Sequence, residues 1–240
     1  MSDANNTPGP SAEPWHRRVL EHRAGLFAVL TTVAISIGGL AEIVPMYTVP
    51  SNLPHVDAIQ PYTPLELAGR DIYLREGCYN CHSQMVRPMR AETQRYGEWT
   101  RAAELQWDRP FQLGSRRIGP DLQRVGGKYP DSWHWEHMKD PRSTSPGSIM
   151  PAYPWLITDK VDPVDVAASV SAMKTLGVPY EDTSVDGVTK AMDGQAAEIT
   201  GRLAQMKVTA KGDEELVALI AYLQKLGVDG RKVLADGGTL

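Results

Sequence analysis

Two thiols three positions apart, followed at once by an imidazole, stand at Cys78-Tyr79-Asn80-Cys81-His82. With this spacing each thiol can form a thioether to one vinyl group of a porphyrin while the adjacent imidazole reaches its iron. CxxCH is therefore the attachment sequence of a c-type haem. Cys78 and Cys81 are the only 2 cysteines among 240 residues, so no second pair completes a zinc site and no thiol is spare for a structural disulfide. A thioredoxin-like redox pair would need a βαβ pattern around the motif, and none is visible. The expected cofactor is one covalently bound haem c, with Cys78 and Cys81 as its attachments and His82 as an axial ligand.

The second axial ligand separates an electron carrier from a gas-binding site. A methionine thioether is soft, raises the potential and closes the sixth position. Met85, Met89, Met138, Met150, Met173, Met192 and Met206 follow the motif. Met85 and Met89 lie too near His82 to cross to the other haem face without a sharp reversal. Met173, Met192 and Met206 fall in periodic stretches where methionine fills a core. Met150 sits in the non-helical loop Pro146-Gly147-Ser148-Ile149-Met150-Pro151, 68 residues beyond His82, and is the expected iron ligand. His134 or His137 is the bis-histidine alternative. The proximal imidazole also needs its other ring nitrogen held, normally by a carbonyl. The turn Gly119-Pro120-Asp121-Leu122 suits this, which gives Pro120 the contact behind His82.

These residues need an anchor and a frame. Ala24 to Ala41 is a run of 18 uncharged, mostly apolar residues. As a helix it reaches about 27 Å, close to the hydrocarbon thickness of a bilayer once extended through Val44. Arg17, Arg18 and Arg23 precede the run, and no Lys or Arg follows until Arg70, which predicts a cytoplasmic N-terminus and a CxxCH domain in the periplasm, where c-type haem is attached. A cleaved secretory signal ending at Gly39-Leu40-Ala41 is the competing reading. Against it, the apolar core is longer than the roughly 7 to 15 residues of such signals and continues through Ile43, Val44 and Met46. Glu42 falls near the outer end of the span, either at the interface or against another membrane subunit.

The organisation predicted is a tail over 1–22, a transmembrane helix over 23–45, a proline-rich linker over 46–62, a mono-haem domain over 63–227 and a C-terminal tail over 228–240. Thr63-Pro64-Leu65-Glu66 reads as a capping box that opens a helix running into the haem motif. Gly69 inside it costs about 1 kcal/mol relative to alanine unless another helix approaches there. The partner is a C-terminal helix from Asp213 or Glu214 to Leu226, stopped by Gly227 and apolar at Leu216, Val217, Leu219, Ile220, Leu223 and Leu226. A further packing helix spans Thr183 or Ser184 to about Met206, with Val185, Val188, Met192, Ile199, Leu203 and Met206 on one stripe. Residues 228–240 are aperiodic, which predicts disorder or a partner's support. With 42% apolar residues, 22% charged residues and a net charge of −4, the chain is an ordinary globular protein without the basic excess of a nucleic-acid binder.

The stretches Gly77 to Pro88, Arg90 to Gly97, Gly119-Pro120-Asp121-Leu122 with Arg124-Val125-Gly126-Gly127, and Ser148 to Leu156 together resemble subunit II of cbb3-type cytochrome c oxidases, the mono-haem subunit called FixO. The span ending Glu42-Ile43-Val44-Pro45 and the segment Ala221 to Gly227 join the resemblance, which covers the chain from about Arg18 onward. It implies a mainly α fold: one N-terminal transmembrane helix, then a class I cytochrome c-like domain with insertions. It implies a single-pass protein of the bacterial inner membrane. Its role would be a non-catalytic relay in a proton-translocating oxidase, taking electrons from a di-haem cytochrome c subunit and passing them to haem b of the catalytic haem b/copper subunit. By the same resemblance, Cys78 and Cys81 are the thioether attachments, and His82 and Met150 the axial ligands.

Arg87 to Arg117 holds 7 arginines and no lysine, interleaved with acids and with Tyr96, Trp99, Trp107 and Phe111. Arginine mixed with aromatics is the composition of an interface, which predicts a docking surface for the catalytic subunit. The bland reading is a solvated, salt-bridged surface. Two other functions compete with the oxidase relay. A free-standing membrane-tethered cytochrome c would show a longer flexible linker, and a haem-based gas sensor would leave the sixth position open.

Overall fold

The computed structural model describes residues 14–49, 52, 54–114 and 116–240. Most of the predicted 1–22 tail, and Pro50, Ser51 and Leu53 of the predicted linker, lie outside them. The chain divides into two units, Met1–Leu53 and Pro54–Leu240. Both are helical, and no strand occurs among the described residues.

The first unit contains helix α1 (Ala24–Thr48), preceded by a π-helical turn at Arg17–Glu21. Within α1, Ala24–Met46 has a mean hydropathy of 2.0 and is long and apolar enough to cross a membrane. Its apolar side chains point outward around the axis, as a lipid-facing helix requires and a water-facing one does not. The helix passes through Pro45 to Thr48, beyond the predicted end. Val49 N–H and the Asn52 side-chain amide both donate to the Pro45 carbonyl at 3.0 Å, satisfying the last turn.

The second unit is built on α2 (Pro64–Arg75), α3 (Arg90–Tyr96), α4 (Asp131–Lys139), α5 (Pro141–Thr144), α6 (Pro163–Thr175), α7 (Val185–Gln205), α8 (Glu215–Lys225) and α9 (Val228–Ala235). The capping box at α2 is present in both directions: Thr63 Oγ1 accepts from Glu66 N–H at 3.3 Å, and Glu66 Oε2 accepts from Thr63 N–H at 2.9 Å. Ser184 caps α7 through the Gly187 N–H. Helix α8 is buried along almost its whole length and crosses α2 at Gly69. A Cβ at Gly69 would lie 2.0 Å from the Ala218 carbonyl oxygen, so the glycine is required by the close approach of a second helix. The Tyr73 and Tyr222 rings, 5.4 Å apart, continue the contact.

Several expectations need correction. Residues 54–62 of the predicted linker are held against the domain: Gln106 and Trp107 bind their backbone, with Val56 N–H donating to Gln106 Oε1 at 2.8 Å and Trp107 Nε1–H to the Ile59 carbonyl at 2.7 Å. Proline spacing correctly excludes a helix there, but the exposed peptide groups are taken up by side chains far along the chain. Residues after 227 are not aperiodic coil. They form α9, held by Val233 in the core, by Arg231 donating to the Gly126 carbonyl, and by Asp229 accepting from Lys225 and from Gln60 N–H. Met173 and Met192 are core residues as expected, whereas Met206 ends α7 and is exposed.

In the arginine-rich segment three guanidinium groups meet carboxylates of this chain: Arg87 and Arg117 with Glu92, and Arg101 with Glu98 at 3.6 Å. Two further pairs fix the segment from below. Arg70 meets Asp108 at 2.7 Å and Arg124 grips Glu104, all four side chains at most 5% exposed. Buried pairs of this kind add little net stability, yet removing one member costs about 3–5 kcal/mol.

The Gly69 crossing sets opposite signs for two glycine substitutions. On the exposed side of α7, Gly194 has no atom within 4 Å of its would-be Cβ, so Gly194→Ala gains about 1 kcal/mol of helix propensity. Gly69→Ala instead loses about 2 kcal/mol or more by forcing α2 and α8 apart. Thermal unfolding of the two variants by circular dichroism checks this; a stabilised Gly69→Ala would contradict the crossing.

Candidate functional site

Helix α2 delivers the CxxCH motif. After its C-cap at Glu76 the chain turns at Gly77 (φ 70°) into a 3-10 turn, Cys78–Asn80, which leaves Cys78, Cys81 and His82 half-buried on one short loop. Both cysteines are free thiols. Burial pushes the Cys78 thiol up to about 12, with the Glu76 charge adding to it. Cys78 packs against the core cluster, as does Met150.

His82 is seated by the Gly119-Pro120-Asp121-Leu122 turn. Its Nδ1 lies 2.8 Å from the Pro120 carbonyl oxygen, and because that oxygen only accepts, Nδ1 carries the proton. Nε2 is then the lone-pair nitrogen, free to bind a metal. Gly119 lies flat on the ring: a Cβ there would come within 2.2 Å of His82 Cε1. The two segments are laced by Gly119 N–H to the Cys81 carbonyl and Leu122 N–H to the Ser83 carbonyl, each at 2.9 Å. Burial lowers the affinity of the His82 imidazole for a second proton, while the Pro120 carbonyl and the Asp121 charge act the other way.

Helix α4 and the loop after α5 supply further residues near the motif. Met150 is half-buried, with its N–H donating to Ser148 Oγ at 3.2 Å. Two contacts bring this loop to the CxxCH turn. Trp155 Nε1–H donates to Glu76 Oε2 at 3.1 Å, and the Tyr153 phenol, raised first by burial, also feels the Cys78 and Cys81 thiols. Tyr153 N–H donates to the Met138 carbonyl at 2.8 Å, fixing the loop to α4. His137 stacks on Trp133 at 4.4 Å and its Nδ1 meets Thr144 Oγ1 at 2.6 Å. Burial lowers its pKa, and His82 adds to the effect, so the two imidazoles lie within electrostatic reach. His134, the other alternative ligand, is 1% exposed with both ring nitrogens unpartnered, edge-on to Tyr129 and Trp133.

The arrangement fits a haem. Two free thiols, an imidazole with a committed Nδ1 and an available Nε2, a glycine seat that a side chain would fill, and a thioether on a loop tied back to the same turn are the donor set that group needs. Among the described residues no cluster of three or more His, Cys, Asp or Glu side chains is placed to hold a bare metal ion. Several contacts here carry no signal in the sequence. Gln84 exchanges hydrogen bonds with the Tyr222 hydroxyl at 2.9 and 3.2 Å, and Asp121 accepts from Ser83 Oγ at 2.7 Å and Met85 N–H at 2.8 Å.

His134 makes the domain sensitive to acid. Burial lowers its pKa from 6.5 to about 4, so the unfolded chain takes up a proton below pH 6.5 that the folded chain refuses until about pH 4. Its contribution is full above pH 6.5 and falls by about 1.4 kcal/mol per pH unit across that window as the medium is acidified. Denaturant titrations at a series of pH values should show a shallower acid limb for His134→Leu; an unchanged slope would contradict this burial.

The comparison with curated proteins returned no match. Residues 17–229 match the family model described as cytochrome c oxidase, mono-heme subunit/FixO, and the chain belongs to that family of oxidase-complex subunits.

Proposed function

We propose that this chain is the membrane-anchored, mono-haem c electron-transfer subunit of a cbb3-type oxidase. Cys78 and Cys81 hold the haem by thioethers, His82 Nε2 and Met150 Sδ bind its iron, and the Pro120 carbonyl fixes the proximal ring. The observation that carries this reading is the seat of His82, with Nδ1 held 2.8 Å from the Pro120 carbonyl directly after two free thiols. When bound, the iron supplies one-electron chemistry by alternating between ferric and ferrous states. The protein's own part is to keep its surroundings still. Pro120 prevents the His82 ring from turning, and Ser148 and the Tyr153 and Trp155 contacts hold the methionine loop. A site that does not reorganise lets an electron enter and leave without moving ligands.

Helix α1 anchors the subunit in the inner membrane, with the arginines before it keeping the N-terminus cytoplasmic and the haem domain periplasmic. Electrons arrive from a di-haem cytochrome c subunit and leave for haem b of the catalytic subunit, where oxygen is reduced. An open cleft beside the proximal loop, lined by Arg87, Arg95, Tyr96, Arg117 and Ile118, is the surface offered to that subunit.

Substitution at Met150 tests the ligand set. Met150→Ala should leave the haem attached, abolish the near-infrared sulfur-to-iron absorption band and let carbon monoxide bind the reduced iron. A band that survives the substitution would show that Met150 is not the ligand. Purification in mild detergent with the haem b and copper subunit supports the assembly; a monomeric haem protein would refute it.

A further inference from the structure

Asp121 stands next to the carbonyl that holds His82, and its side chain is wholly removed from solvent. Its carboxylate accepts from Ser83 Oγ at 2.7 Å, Met85 N–H at 2.8 Å and Gln123 N–H at 2.9 Å. Each of these partners donates, so the group acts there as an acceptor-only anion. Ser83 and Met85 flank the proximal histidine's loop on its C-terminal side, which makes Asp121 the clip that closes the loop onto the Pro120 turn.

The countercharge is held at arm's length. Arg117 Nη2 lies 3.7 Å from Asp121 Oδ2, but its closer partners lie elsewhere: Glu92 Oε2, Ser83 Oγ and the Met85 carbonyl, each at 2.7 Å. Arg87 pairs with the same Glu92. Arg117 is thus shared between two carboxylates, and the negative charge of Asp121 is incompletely cancelled in a dry setting where charge is poorly screened.

We propose that Asp121 is a positioning residue that sets the reduction potential of the iron bound at His82: it clips the proximal loop shut and places a partly compensated negative charge behind the imidazole. The reaction it biases is the gain of one electron by ferric iron to give ferrous iron, with no bond made or broken. A negative charge behind the proximal ligand favours the ferric side. Arg117 sets how much of that charge the iron feels. The inference rests on the haem reading above.

The test is a redox titration of the haem-loaded, full-length protein, with the near-infrared band and electron paramagnetic resonance recorded to confirm that both axial ligands remain. Asp121→Asn, nearly isosteric, should raise the ferrous-to-ferric ratio at fixed ambient potential by about tenfold, equivalent to about 59 mV for one electron. Arg117→Met should lower the ratio, and Arg117→Lys, which keeps the charge, should stay within about twofold of the unaltered protein. A loosened loop would move all variants in one direction and disturb the ligand spectra. Asp121→Asn with intact ligand spectra and an unmoved ratio, or Asp121→Asn and Arg117→Met shifting the same way, would overturn the proposal. Should Asp121→Asn fail to take up haem, Arg117→Met decides alone: a lowered ratio supports the proposal and an unchanged or raised one refutes it. An unaltered protein that carries no haem would instead sink the underlying haem reading.

Discussion

The lacing of Cys81–Met85 to Gly119–Leu122 is the constraint on which the site depends. Two backbone hydrogen bonds, from Gly119 to Cys81 and from Leu122 to Ser83, hold the segments edge to edge, and between them the Pro120 carbonyl accepts a hydrogen bond from His82 Nδ1–H. A ring gripped at one nitrogen presents the other in a fixed direction. Without the lacing, His82 would be a loop side chain whose tautomer and ring direction nothing holds. Gly119 permits it by having no side chain to strike the ring, and Asp121 completes it by binding Ser83 and Met85, just past the histidine.

That lacing works only because the ends of the loop are placed by helices. The crossing of α2 and α8 at Gly69 fixes where Cys78 begins, and the Gln84 contact with Tyr222 ties the far end of the loop to α8. Buried pairs between Arg70 and Asp108 and between Arg124 and Glu104 tie the arginine-rich segment to α2 and to the chain just after the proximal turn. Part of that segment is thus internal reinforcement, and an outer cleft lined by Arg87, Arg95 and Arg117 stays open beside it.

Local chemistry was legible in the sequence wherever it is written within a few residues. Thr63 to Glu66 encodes the start of α2, Ser184 the start of α7, and the dense apolar face of Leu216 to Leu226 encodes α8. Gly69 was readable as a contact point because a mid-helix glycine demands a reason. Helix α4 was not, since Trp133, His134, Trp135 and His137 mix aromatic and polar groups without a clear apolar period. Nor was α9, whose Gly230 and charged residues suggest coil until Gly126, Gln60 and Lys225 supply partners. The residues around Asp121 form the clearest case: its ligands in the fold lie 36 and 38 positions upstream, and nothing near it in the chain announces them.

On this reading the turn seated by Pro120 carries a haem bonded to its own polypeptide. Extraction of the full-length chain with acidified acetone, followed by the pyridine haemochrome spectrum of both fractions, decides it. The pigment should stay with the protein, at one per chain, with the α band of a porphyrin whose two vinyl groups are saturated. Pigment released into the solvent, or a colourless polypeptide, would contradict the account.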